Sequence, residues 1–447
     1  MDTLTCFFGS AATAIIAAML GACLGAFVPS LHILNLLAVL ALAAQSALAA
    51  GAPFPPEAMI VAVAAFLTSW SLANTIPAVL AAAPDEGALF TVLPGQRYLM
   101  EGRGAEAVWL TVLGGVGGLG LLLSGLPFAV RLLPPLHAIL RPHYGWIIWV
   151  VIVFMLLSEW PKGNYPGPAG WRKWMRGWRG LGAGLLTFLL SGMLGMILMY
   201  RSPLPPEQAF QNLMPAFVGL FGVPGLLFAL IAHPQIPAQH QPRTLALPPR
   251  LWFRGAAAGA LGGAVAAFLP VVTAGVGGLL AGHATATRDE RVFLVSQGAS
   301  KTVYYVGALL LLFVPGLEIV RGGAAWMLTG LYAPQPAADS GLAIGSVALA
   351  AAVTLLLMPV LLRLTLALVT RLGSRRLALA ALALLLVLVG GLTGLPGLFV
   401  MAVASGIGLI PLLYDSRRLN ALGVILLPLA LNRSAAGPVV ARWLGLF

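Results

Sequence analysis

Stretches of uncharged, apolar residues long enough to cross a bilayer constrain this chain more than any other feature. One crossing takes about 20 such residues, and about ten to twelve runs of that kind follow one another, several of them short or interrupted; residues 377–394 and 396–412 are two of them. None alternates with the period of two that a membrane-barrel strand requires. The runs therefore predict helices, which satisfy their own backbone hydrogen bonds in lipid. Residue usage agrees: 60% is hydrophobic and 9% charged, against about 25% charged in soluble domains. The expected fold class is an all-α polytopic membrane protein.

A formal charge of +12 raises the question of nucleic acid, which the placement of the charges argues against. Lys162, Arg172, Lys173, Arg176 and Arg179 stand between Pro161 and Gly180 without an acidic residue. Trp171, Trp174 and Trp178 share a helical face there, the signature of an amphipathic turn at a membrane interface. Arg243, Arg250 and Arg254, then Arg371, Arg375 and Arg376, then Arg417 and Arg418 also cluster between runs. The positive-inside rule puts the loops at 160–179, 233–254, 371–376 and 414–418 in the cytoplasm. The expected location is the prokaryotic cytoplasmic (inner) membrane. Met1-Asp-Thr-Leu-Thr has no basic leader region, so the first run is expected to be a retained span. Cys6 and Cys23 both fall in that run and imply no disulfide framework.

Two runs are interrupted in related ways. Ala26-Phe-Val-Pro29 has an echo in Ala267-Phe-Leu-Pro270, with Gly21 and Gly262 each eight residues before the proline. Ser71-Leu-Ala-Asn-Thr75 is answered by Ser300-Lys-Thr302, Pro94-Gly95 by Pro315-Gly316, Arg103-Gly-Ala-Glu-Ala107 by Arg321-Gly-Gly-Ala-Ala325, and Trp109-Leu-Thr111 by Trp326-Met-Leu-Thr329. The common order suggests a duplication. It divides the chain into a first repeat over 1–140 with its break at Pro29, connecting spans over 141–250, a second repeat over 251–340 with its break at Pro270, and C-terminal spans over 341–447. Segments 21–45 and 260–285 are expected to be re-entrant or broken hairpins related by an approximate two-fold axis. Proline removes a backbone donor and breaks the preceding turn, and transporters place substrate sites on such discontinuous helices. A simple kink, with neighbouring helices satisfying the freed groups, is the other reading.

Residues 80–107, Leu-Ala-Ala-Ala-Pro-Asp-Glu-Gly-Ala-Leu-Phe-Thr-Val-Leu-Pro-Gly-Gln-Arg-Tyr-Leu-Met-Glu-Gly-Arg-Gly-Ala-Glu-Ala, resemble the signature of the large membrane subunit of tripartite tricarboxylate transporters, with Gly95, Gly102, Arg103 and Glu106 on matching positions. The break at Pro29, Phe293-Leu-Val-Ser-Gln-Gly-Ala-Ser-Lys-Thr302 and the Gly-rich C-terminal spans fit the same family. The tricarboxylate branch carries Asn-x-Pro-Gly where this chain has Ala81-Ala-Ala-Pro84, and Pro-Gly where it has Pro29-Ser30 and Pro270-Val271, so it resembles a divergent side branch. The resemblance implies a duplicated helical permease moving small organic anions, with a small membrane subunit and a soluble binding protein as partners.

Lys301 is the sharpest individual candidate. The other two lysines, Lys162 and Lys173, lie in the basic loop, whereas Lys301 sits between apolar stretches. A charge inside the bilayer marks a pathway or an ion pair; the bland alternative is a lysine snorkelling to the interface. Repeat correspondence sets Lys301 and Thr302 opposite Asn74 and Thr75, so the expected substrate site comprises Ser30, His32, Asn35, Asn74, Thr75, Thr273, Ser300, Lys301 and Thr302. A half-helix starting after Pro29 would aim its N-terminal amides at an anion. His32 titrates near neutral pH or is a hydrogen-bonded interior side chain. Asp85 and Glu86 bind a coupling proton or cation, or cap the next helix. Arg97, Glu101, Arg103 and Glu106 are expected to form a salt-bridged loop. Gly115-Val-Gly-Gly-Leu-Gly120 matches a dinucleotide pattern, but without a βαβ context it indicates close helix packing.

The chain has no Walker A motif, no HExxH and no Cys/His cluster with metal-ligand spacing. Neither a cofactor nor a metal is expected. Three functions compete. The leading one is a secondary transporter for a small, carboxylate-bearing anion, coupled to H⁺ or Na⁺. The second is a translocase for a lipid-linked phosphate such as a polyprenyl phosphate, whose head group suits paired breaks and a lysine equally. The third, a lipid-acting enzyme, would need Ser30 and His32 as a nucleophile–base pair, yet residues i and i+2 do not face each other on a helix.

Overall fold

The computed structural model describes residues 3–29, 33, 36, 37, 40, 46, 56–84, 86–161, 170–204, 212–232, 236–242, 244–269, 272–285, 289–317, 319–332 and 335–447. No strand occurs among them, and seven helical stretches are long and apolar enough to cross a membrane. The protein is an all-α polytopic membrane protein.

Helix α1 (Thr3–Phe27) stops just before Pro29. Helices α2 (Pro56–Ala73) and α3 (Thr75–Leu80) are separated at Asn74. A 3₁₀ turn (Glu86–Thr91), α4 (Val92–Met100) and the long α5 (Gly104–Leu140) follow. Next come α6 (Tyr144–Leu157), α7 (Trp171–Tyr200) and α8 (Met214–Phe217), which passes through a π turn (Val218–Gly222) into α9 (Val223–Ala232). Helix α10 (Pro249–Phe268) is followed by α11 (Ala274–Thr285), α12 (Glu290–Leu310), α13 (Gly322–Leu331) and α14 (Pro336–Leu413). A 3₁₀ turn (Arg418–Leu422), α15 (Gly423–Arg433) and α16 (Gly437–Trp443) close the chain.

An uninterrupted helix of the 78 residues in α14 would be about 117 Å long. The backbone instead enters the left-handed region at Gly373 and Gly394 (φ 71° and 63°), where only glycine does so without strain. The turn at Gly394 brings Leu398 back against Gly390, so the runs over 377–394 and 396–412 form a hairpin.

The helices form two compact units, one of Met1–Ala138 with Ala229–Leu379 and the other of Ile139–Phe228 with Ala380–Phe447. In the first unit, α1 lies parallel to α2, with Gly21 against Phe66 and Gly25 against Trp70. Helix α10 is likewise parallel to α12: Gly255, Gly259 and Gly263 abut Val292, Ser296 and Ser300 in turn. A side chain at these glycines would collide with the facing backbone, so the small-residue stripe is what permits the approach. In lipid such packing, rather than the hydrophobic effect, holds helices together. Between α10 and α12, helix α11 runs antiparallel to α10, Gly262 meeting Gly277 and Ala281. Gly114, Gly115 and Gly118 set α5 against α12, so the glycine-rich motif is a packing device.

The most apolar window of the α2–α3 span is 94% buried, whereas that of α14 is 28% buried; α2 lines the interior and α14 turns most of its apolar side chains outward. Phe66, Trp70 and Ile60 of α2 are fully enclosed. In the second unit α7 packs along α15 through Gly192 and Gly195. Glu159 accepts from the Arg417 amide and, at 3.1 Å, from Asn420 Nδ2. Trp171 stacks on Trp174 at 4.6 Å and Trp178 packs edge-on against Trp160 at 5.1 Å, forming the aromatic face expected of the basic segment.

Candidate functional site

The site begins with a fault in a helix. Pro77 has no amide hydrogen to donate to the Ala73 carbonyl and its ring crowds that turn. The helix accordingly breaks at Asn74 (φ −68°, ψ −4°) and resumes as α3. Asn74 keeps its own amide on the Trp70 carbonyl at 2.9 Å, while the next bond, Ala78 to Asn74, stretches to 3.4 Å. The side chains of Asn74 and Thr75 are thereby presented inside the unit, 6% and 1% exposed.

Lys301 meets them. It is 2% exposed, and its ammonium donates to Asn74 Oδ1 and, at 2.9 Å, to Thr75 Oγ1. A lysine this enclosed does not snorkel. Helix α12 reaches such depth despite its polar composition because glycines of α10 and α5 let it approach closely, as described above. Its start is fixed by Asp289, whose carboxylate accepts the Arg291 amide at 2.9 Å and the Arg291 guanidinium at 2.8 Å. That guanidinium holds the Asp289 carboxyl below the usual aspartate range. Of the four charged residues expected to form a salt-bridged loop, Arg103 pairs with Glu106 at 2.9 Å and Glu101 at 3.3 Å, whereas Arg97 reaches instead to Glu290 at the start of α12.

Consecutive residues on a helix point about 100° apart, and this sorts the candidates on α12. Lys301 shares its face with Gln297 and Tyr305, one turn to either side. Gln297 donates to the Gly278 carbonyl of α11 at 3.0 Å. A Cβ on Gly87 would meet Lys301 Cγ, Tyr305 and Ala274, so the 3₁₀ turn covers the lysine stem and α11 starts beside it. Thr273 immediately precedes that start. Its hydroxyl is buried and has no hydrogen-bond partner among the described residues. Thr302 turns away instead, its hydroxyl 2.7 Å from where a Cβ on Gly115 of α5 would be. Ser300 has its carbonyl against Gly263 of α10. The hydroxyls of Ser300 and Thr302 are also buried without partners among the described residues, but only Lys301 of the three is seen on the Asn74 side.

Ser30, His32, Asn35, Asp85 and Pro270 lie outside the described residues, and Glu86 opens the 3₁₀ turn. Trp70 is a site residue that sequence reasoning misses. It packs edge-on against Tyr305 at 5.4 Å, and its indole N–H is buried with no acceptor among the described residues. Its position four residues before Asn74, on the same helical face, was the available signal. No group of three or more His, Cys, Asp or Glu placed to hold a metal occurs among the described residues. A buried ammonium beside unmatched hydroxyl and indole donors is an arrangement that accepts negative oxygen atoms.

The family model described as "Tripartite tricarboxylate transporter TctA family" matches residues 12–423. No curated protein and no solved structure matches the chain. The chain belongs to that family, which is one of secondary membrane transporters.

Proposed function

We propose that this member of the tripartite tricarboxylate transporter family is the permease for a small, carboxylate-bearing anion and that Lys301 binds the anion during transport. One observation carries the reading: Lys301 is enclosed inside the unit on side-chain oxygens of Asn74 and Thr75. Both are neutral partners that a carboxylate can displace. A positive charge that rests on neutral hydrogen-bonding groups can exchange them for an anion. Thr273 and Trp70 supply unmatched donors nearby, and Ser30, His32 and Asn35, following Pro29 as Thr273 follows Pro270, would supply the other side of the pseudo-symmetric pair. Ser300 and Thr302 brace α12 against its neighbours. Asp85 or Glu86 would carry the coupling H⁺ or Na⁺.

The family's tripartite character supports a small membrane subunit and a soluble binding protein as partners, working in the prokaryotic inner membrane. The departures at Ala81–Pro84 and Ser30 support a substrate other than citrate. The test reconstitutes the permease with its two partner proteins in proteoliposomes and follows uptake of citrate, succinate and inorganic phosphate under H⁺ and Na⁺ gradients. Uptake of a carboxylate, lost in Lys301→Ala, supports the proposal. Phosphate-only uptake, or carboxylate uptake equal in parent and variant, refutes it.

A further inference from the structure

Arg321 stands at the second helix interruption, between α10 and α11. Its guanidinium donates to the carbonyls of Ala267 and Ala266 at 3.1 Å each, to Leu269, and to Val272 at 3.5 Å. These four belong to the end of α10 and to the linking segment. Pro270 lacks the amide that would have served the Ala266 carbonyl in a continuing helix. The carbonyl end of a helix carries a partial negative charge of about half an electron. Converging main-chain carbonyls at the C-terminal end of a broken helix are, in chemical terms, a cation site, and discontinuous transporter helices commonly coordinate their coupling ions this way.

Here the protein's own cation fills it. We infer that Arg321 takes the place of an inorganic coupling cation at the second interruption, so that loading this half of the transporter needs no metal ion. Guanidinium stays protonated at any working pH and its planar fork reaches several oxygens at once. By tying the end of α10 to Leu269 and Val272, it also sets where Thr273 and Ala274 begin α11, beside Gly87 and Lys301. Arg321 is thus a positioning residue for the proposed anion site. The inference rests on the transporter reading for its link to coupling, but the carbonyl clamp is testable without any substrate.

The experiment compares the purified full chain with Arg321→Ala and Arg321→Lys, following thermal unfolding, and uptake in proteoliposomes, in choline buffer with and without millimolar guanidinium or Na⁺. The parent's melting midpoint should not respond to guanidinium. Arg321→Ala should melt earlier, recover most of the difference in guanidinium and part of it in Na⁺, and show uptake about tenfold lower or more that guanidinium restores. Arg321→Lys should melt earlier than the parent, because one ammonium cannot reach carbonyls on both sides of the break. Parental melting of either variant would overturn the inference, and so would a lowered Arg321→Ala midpoint that neither cation raises. If Arg321→Ala yields no folded protein, Arg321→Lys decides: early melting supports the clamp and parental melting rejects it. Loss of transport in Lys301→Ala leaves this melting comparison untouched, so the two readings fail separately.

Discussion

Two helix interruptions in the first unit invite comparison. One separates α2 from α3 at Asn74, and the other separates α10 from α11 at residues 269–273. The sequence has a proline at each, Pro77 in one case and Pro270 in the other. A cation faces each, and the difference lies in what that cation holds. Arg321 grips main-chain carbonyls, which no rotamer change can release. Lys301 rests on the side chains of Asn74 and Thr75, whose oxygens a ligand can replace by a small rotation. The contrast teaches that the same device serves two ends: a charge on backbone stabilises a break, and a charge on side chains leaves the break open to chemistry.

Arg321→Met breaks the comparison most severely. At least three carbonyls lose their donor, and each buried unsatisfied group costs about 1–3 kcal/mol. The melting midpoint of the purified protein should therefore fall further than in Lys301→Met, Asn74→Ala or Asp289→Asn. Lys301→Met should cost less stability. Asn74 and Thr75 lose a donor, but their side chains can turn to other partners where fixed carbonyls cannot, so unfolding should stay within about 1–3 kcal/mol of the parent. Anion binding, in contrast, should weaken about 10- to 150-fold, the worth of a charge-assisted hydrogen bond of roughly 1.5–3 kcal/mol. If both methionine variants destabilise alike, the two cations are both structural and the contrast disappears.

A subtler change sharpens it. Asn74→Ala removes one neutral partner but leaves the ammonium, so affinity for the anion should shift by less than about tenfold while the pH dependence of binding stays parental. Titration calorimetry of the purified variant would show this. The smallest effect belongs to the cap of α12. Asp289 is held below its ordinary value of 3.8 by Arg291, so its stabilising contribution is full above that value and fades as pH falls through the lowered range. Asp289→Asn should melt slightly earlier than the parent above pH ~4, by less than about 1 kcal/mol for a partly exposed pair. The gap should close on further acidification.

Much of the fold is written in the apolar runs, because one crossing length and the demand for internal hydrogen bonds leave helices as the answer. The hairpin at Gly394 is legible for the same reason. The site is legible at Lys301, since a lysine between apolar stretches is conspicuous where Lys162 and Lys173 sit in a basic loop. Its partners Asn74 and Thr75 follow from repeat correspondence, although Pro77, the physical cause of the break there, has no counterpart in that pattern. Three consecutive polar residues, Ser300 to Thr302, look like one cluster in a sequence, but the helical turn sends them to different neighbours. Arg321 is the residue whose role the sequence hides most. There it stands only as the counterpart of Arg103, yet Arg103 pairs with Glu106 and Arg321 with carbonyls, a difference that depends on where distant segments meet. The signal that could have found it is an arginine following α12, downstream of a helix end left without donors.

The central claim is that Lys301 binds the transported anion and does not merely stabilise the break at Asn74. Its most direct test is the equilibrium dissociation constant of the transported carboxylate for the purified parent and for Lys301→Met, measured on samples first shown to be folded at the working temperature. The account predicts a Kd raised about 10- to 150-fold in the variant. An unchanged Kd in the folded variant would contradict it.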